Sequence, residues 1–191
     1  MKEFDNLTGK VLVAAPSVTE ESEYNKSLVY IMHHSVDGAI GFALNNEIYN
    51  LPAQDIFQEY DINQNTTQKN IDVHIGGPLD VKHGFFLHSN DYNKKVLISD
   101  NFNKLCISSN LEIIKDVMNN SGPKNIMLIV GYTAWKKGQL EEEVNNNLWI
   151  VSDPDYELIF NDNHENSWSN ALNFLGIKKD SFVPHFTNIV S

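Results

Sequence analysis

Residues 28–34 restrict what this chain can fold into more than any other segment. Leu28, Tyr30, Met32 and His34 alternate with Val29, Ile31 and His33, so a strand here is apolar on both faces for most of its length. Such a strand is stable only at the centre of a sheet covered on both sides. Residues 126–130 (IMLIV) form a continuous apolar run of strand length and read as a second fully buried strand. A chain of 191 residues buries about 70 % of its extended-chain surface on folding, enough to cover both. Hydrophobic residues make up 41 % before the ten glycines are added, an ordinary globular composition that excludes disorder of the chain as a whole.

The rest of the first half reads as strands separated by turns. Residues 11–15 form a short apolar run stopped by Pro16, and the polar residues 19–26 follow as a surface loop. Val36-Asp37-Gly38 supplies a turn, after which Ile40, Phe42 and Leu44 alternate with Ala39, Gly41 and Ala43. The bare face admits another layer at close range, which accounts for Gly41 without a ligand. Pro52 opens a helical segment to Tyr60, with Ala53, Ile56, Phe57 and Tyr60 on one face. Residues 61–70 (DINQNTTQKN) carry a single aliphatic side chain and are expected to form a flexible loop. Strands resume at 73–75, 85–88, 96–99 and 105–108, the last two as a hairpin.

The second half turns helical. Ser109 and Glu112 form a capping box ahead of the stripe Leu111, Ile114, Val117 and Met118, which Gly122-Pro123 stops. A helix from Gln139 carries Leu140, Val144 and Leu148, and residues 149–151 form one more short strand. Asp153-Pro154 caps a brief helix to Phe160. Asp162 with Glu165 caps a last helix with the stripe Trp168, Ala171, Leu172 and Leu175, closed by Gly176. Residues 178–191 form a tail without assigned structure. The expected fold is one α+β domain over residues 1–191, a mixed, mainly antiparallel sheet packed with helices.

Charge narrows the function. Fourteen Lys+Arg against 25 Asp+Glu give a net charge of -11, a field that repels phosphates, so direct nucleic-acid binding is not expected. Cys106 is the only cysteine and lies between Leu105 and Ile107, so the chain forms no internal disulfide and the thiol reads as a small buried hydrophobe. The first apolar run is too short for a signal sequence, and no run approaches the roughly 20 residues of a membrane helix. A cytoplasmic location without a membrane is the expectation.

Catalytic signatures are missing: there is no phosphate-binding G-x-x-x-x-G-K-[ST], no G-x-G-x-x-G, no G-x-S-x-G elbow and no H-E-x-x-H helix. His33 and His34 are adjacent on a strand and point to opposite faces, so they cannot share a metal. His74, His83 and His88 fall near strand ends and could converge with His34, but without a recognised ligand spacing no metal site is assigned. Glu141, Glu142 and Glu143 spread over about 200° of a helix surface and read mainly as a solvated face. Residues 131–143 are the densest block. Gly131 marks the exit of the buried strand, Trp135 falls in the following turn, and Leu140 starts the inward face of the next helix, making a structural hub and the wall of any functional site.

Several blocks together carry a resemblance. Leu7-Thr8-Gly9-Lys10, Ala14-Ala15-Pro16, Ser27-Leu28-Val29-Tyr30 with His34, and Gly38-Ala39-Ile40-Gly41 are followed in register by Gly76-Gly77-Pro78 and by Gly84-Phe85 with Leu87-His88-Ser89. The stretch GYTAWKKGQLEEE at 131–143, then Trp149, Trp168, Ala171-Leu172 and Leu175-Gly176-Ile177, complete the set. In these blocks the chain resembles the bacterial YqgE/AlgH family from Leu7 to about Ile177. Two positions depart from it: Asn45 is followed by Asn46 and Glu47 where relatives show Arg-Pro, and His83 stands before Gly84 where arginine is common. An anion site built on those arginines would be weakened here. The resemblance implies a single α+β fold and no established reaction, with one branch labelled a transcriptional regulator of alginate production. Nothing in this chain resembles a helix-turn-helix reader with a basic face.

Two functions fit these observations. The first is a binding or regulatory protein acting through a small ligand or a protein partner. The second is an enzyme, a hydrolase or transferase, with a site where His34, Asn45, His88 and the 131–142 block meet. The candidate ligand-binding residues are His34, Asn45, Gly76, Gly77, His88, Gly131, Trp135, Gly138, Gln139 and Glu142. No catalytic residue, metal ligand or cofactor is assigned.

Overall fold

The computed structural model describes residues 6–52, 70–100, 103–160 and 166–178, and these form ten strands and four helices. The strands are β1 (Val11–Ala14), β2 (Leu28–Ser35), β3 (Gly38–Ala43), β4 (Glu47–Pro52), β5 (Asn70–Ile75), β6 (Leu79–Ser89), β7 (Ile98–Asp100), β8 (Leu105–Ser108), β9 (Ile126–Lys136) and β10 (Trp149–Ser152). The helices are α1 (Glu112–Met118), α2 (Gln139–Asn145), α3 (Tyr156–Ile159) and α4 (Ser167–Phe174). One sheet runs β10-β1-β2-β3-β9-β6-β8-β7, with β5 joined to β9 and β4 to β5. Every pairing is antiparallel except β5 with β9, so the mixed, mainly antiparallel α+β fold is what the sequence led us to expect.

The two apolar strands are central. β2 lies between β1 and β3, and its Leu28, Val29, Tyr30 and Ile31 are all buried. A register shift between Ile31 and His33 leaves His33 exposed and His34 inside. β9 alternates between two cores: Met127 and Ile129 pack with the β1–β3 side and helices α2–α4, while Ile126 and Leu128 pack with Ile71, Val73, Phe86 and α1. Each fully buried aliphatic side chain adds about 1.5–3 kcal/mol relative to exposure, so a strand that feeds both layers joins them. The Trp168 indole N–H donates to the Ala14 carbonyl at 2.7 Å and fixes α4 over β1.

β9 changes partner halfway. Residues 127–130 pair with β5, whereas 133–136 pair with β3, and β6 flanks the other edge. The change occurs at Gly131, whose φ is +73°. A Cβ there would lie 2.6 Å from the Gly77 carbonyl oxygen, and one on Gly76 would lie 2.5 Å from that of Gly131. Side chains at these positions would force the crossing segments apart.

Some local expectations change. β9 does not end at Gly131 but continues to Lys136, because the exchange of β5 for β3 keeps its backbone paired; Trp135 is therefore a strand residue and not part of a turn. Pro52 closes strand β4 instead of opening a helix; 53–60 and 61–69 lie outside the described residues, and Asn70 opens β5. Ser109 does not cap α1: Asn110 accepts the Glu112 N–H at 3.0 Å. Asp155, not Asp153, caps α3, accepting from the Leu158 N–H at 2.8 Å. The capping box proposed at Asp162 and Glu165 lies outside the described residues.

Candidate functional site

Alternation on β9 turns Thr133 and Trp135 inward and Ala134 and Lys136 outward. Gly138, with φ +77°, then reverses the chain into α2, which lays Glu143 against the two tryptophans. One Glu143 oxygen accepts from the Trp135 and Trp149 indole N–H groups, both at 2.8 Å. The other accepts from the Gln139 amide at 3.0 Å, and Gln139 accepts the Lys136 N–H at 3.1 Å. Tyr24 stacks on Trp135 with centroids 6.5 Å apart and tilts against Trp149 at 5.1 Å. Burial, then Glu23 and Glu143, push the Tyr24 hydroxyl above its ordinary pKa. The rings touch one another and both Glu143 oxygens are bonded, so this is a closed joint with no room between the rings for a ligand.

His34 makes a second joint beside it. The Leu7 N–H donates to Nδ1 at 3.0 Å, which places the ring proton on Nε2, 3.3 Å from a Glu141 oxygen. The Thr8 hydroxyl accepts the His34 N–H at 2.8 Å, so the amino-terminal segment, β2 and α2 meet at one imidazole. The other Glu141 oxygen is buried and has no hydrogen-bond partner. Glu141 is thus not the solvated carboxylate expected from the sequence; Glu142 is the exposed one.

His34, Trp135, Gly138 and Gln139 are therefore neighbours, while Gly76, Gly77 and Gly131 form the strand crossing. Asn45 and His88 are elsewhere. The Asn45 side chain accepts the Leu28 N–H at 2.9 Å and donates to the Lys26 carbonyl at 2.8 Å, about 20 Å along β2 from His34. His88 sits opposite Ile126, about 30 Å along β9 from Trp135, and bonds the Ser89 carbonyl and Ser108 hydroxyl, each at 2.9 Å. Burial holds its pKa below the ordinary value against the opposing Ser89 carbonyl and Asp91. The sequence-level meeting of His34, Asn45 and His88 does not occur. Among the described residues no group of three or more His, Cys, Asp or Glu is placed to hold a metal ion, and no helix is long and apolar enough to cross a membrane.

An open cleft lies on the other half of β9. Between Leu79, opposite Tyr132, and Gly84, opposite Val130, β6 has four residues facing the single Gly131. They bulge out of the sheet, and a 2.7 Å contact between His83 Nδ1 and an Asp80 oxygen closes the bulge. Below it is a cleft of about 700 Å³ with Gly84, Phe86, Leu128 and Val130 as its floor, Ser109 and Leu111 as a wall, and Asp80, Lys82 and His83 on the rim. A Cβ on Gly84 would lie 2.8 Å from the Leu128 side chain, so the glycine keeps the floor low. Of the residues lining this cleft, the sequence singled out only His83, weighed as a metal ligand and as the position where relatives carry arginine, and it assigned none to a ligand site. The available signal was Gly84 inside a strand, a common mark of a bulge.

Comparison with known proteins extends this picture. Residues 11–180 match the profile of a family described as AlgH-like. A UPF0301 protein of Rickettsia typhi is 47 % identical over 187 residues, covering 98 % of each chain, and one from Rickettsia rickettsii is 46 % identical over the same length. The solution structure of the AlgH protein from Pseudomonas aeruginosa superposes with a TM-score of 0.71 at 24 % identity, over 93 % of this chain and 94 % of that one. A crystal structure from Corynebacterium diphtheriae gives 0.69 at 20 % identity, over 91 % and 90 %. Those two likenesses concern the fold, and together with the sequence matches they mean that this chain belongs to the AlgH-like family.

Proposed function

We propose that the protein is a binding or regulatory protein that acts through a small ligand held in the cleft between the β6 bulge and the segment leading into α1. The observation that carries this reading is the cleft itself: about 700 Å³ of open space, an apolar floor and a few polar groups at the rim. Small-molecule sites usually occupy roughly 300–1,000 Å³ with this division of surface. The enzyme alternative has less support, because His34, Asn45 and His88 lie on separate parts of the sheet and the Trp135–Glu143 joint is saturated. A cytoplasmic location agrees with the single buried thiol of Cys106, and the net charge of -11 argues against direct contact with duplex DNA.

A thermal-shift screen against a metabolite panel tests the reading. A ligand at 100 times its dissociation constant adds about 2.7 kcal/mol, well above detection. Ser109→Trp, at an exposed position on the wall, should fill the cleft and remove the shift. A hit that Ser109→Trp leaves unchanged would place binding elsewhere.

A further inference from the structure

The charges on the rim are unequal in their engagement. The Asp80 carboxylate is bonded to His83, whereas Lys82 makes no ion pair among the described residues. The rim therefore offers an ammonium with spare donors beside a carboxylate that has one oxygen bonded to an imidazole. Ser109 adds a hydroxyl on the opposing wall.

The apolar floor also extends past the cleft. Val130 pairs with Ile75 across β5 and β9, and side chains of opposed residues share a face. Ile75 is 41 % exposed and Val81, on the bulge, is 55 % exposed. An exposed apolar strip thus runs from Val130 to Ile75, backed by the buried Leu128 and Phe86, with Lys82 beside it.

We infer that the cleft takes a small amphipathic carboxylate, its apolar body on this strip and its anionic head paired with Lys82. This rests on the cleft being the ligand site. An apolar body supplies burial, roughly 25 cal/mol per Å², and the unpaired ammonium selects the sign of the head group. A cationic head would meet Lys82 as a like charge. The protein's overall charge of -11 repels free anions at long range, so the apolar body must supply most of the affinity and the lysine the selectivity.

The test titrates the full chain with three probes of equal chain length: octanoate, 1-octanol and octylammonium. Octanoate should bind about 2- to 5-fold more tightly than octanol, and octylammonium more weakly than either. Lys82→Gln, at an exposed position, should bring the octanoate-to-octanol ratio close to one, as should 1 M salt in the wild type. Ser109→Trp should weaken both. If octanol or octylammonium matches or exceeds octanoate, or Lys82→Gln leaves the ratio unchanged, the carboxylate assignment is overturned while the cleft stands. If no probe binds, or Ser109→Trp weakens none, the cleft itself is not the site.

Discussion

After Gly131, β9 passes beneath α2 and carries Trp135, which is 3 % exposed and whose indole N–H is bonded to Glu143; before Gly131, the same strand lines an open cleft with Leu128 and Val130. The first half has polar atoms that satisfy one another inside a ring cluster. The second has a bulge that lifts polar groups away from an apolar floor. A saturated joint resists change and offers little to a ligand, whereas a floor with unengaged groups above it costs little to alter and can bind. Density of aromatic and acidic residues is thus a guide to stability here, and the open cleft lies where the strand pairing is irregular.

The comparison breaks most readily at Trp135. Trp135→Ala removes a buried ring and strands one side of the Glu143 contact, an expected loss of about 3–5 kcal/mol. For a chain of this size that is a fall of about 6–20 °C in melting temperature. A variant that melts like the wild type would mean the joint is not a packing hub. Glu143→Ala leaves two indole N–H donors without their acceptor and should cost about 2–3 kcal/mol by chemical denaturation, whereas Glu143→Gln, which keeps an acceptor, should cost less.

Acid should act first on the cleft half. His88 is held below its ordinary pKa of 6.5, chiefly by burial, so the unfolded chain takes up a proton more readily than the folded one. Its stabilisation is complete above pH 6.5 and is lost as pH falls below that value toward the folded pKa. At lower pH Asp91 and Asp116 add to the loss: burial pushes their carboxyls up, but Ser89 and the Lys124 N–H on Asp91, and Lys94 and Tyr92 on Asp116, outweigh it and hold both below the usual carboxylate value. Melting temperature measured against pH should therefore decline from about 6.5 downward, and His88→Gln should flatten the upper part of that decline. The smallest effects belong to the rim and the exposed helix face: Lys82→Gln and Glu142→Gln should each stay within about 0.5 kcal/mol of wild type. A large loss from Lys82→Gln would show that the bulge is structural and remove the contrast between the halves.

Much of the sheet was legible. Two-sided apolar patterning placed β2 and β9 at its centre because a strand exposed on either face could not hide those side chains. The extension of β9 to Lys136 was not legible, since Gly131 looks like a strand exit until β3 is seen to take over from β5. The proximity of His34 to the 131–142 block was foreseen, but the residue that meets it is Glu141, the carboxylate expected to face water. Asn45 and His88 were grouped with them on residue type alone, and side-chain chemistry says nothing about position along a strand. The cleft was missed because its floor is ordinary aliphatic sequence.

By itself, then, the sequence determined most of the strands though not β4, which of them are buried on both faces, and that the tryptophan of the 131–143 block lies inside. Those properties follow from periodicities of two to four residues, which local sterics and burial enforce wherever the segment sits. The tertiary structure alone decided that Glu143 joins Trp135 to Trp149, that Glu141 faces His34, and that 80–83 bulge over a cleft. Each depends on register between strands or helices distant in the chain. Register is set by the summed packing of the whole sheet, to which no single segment holds the key.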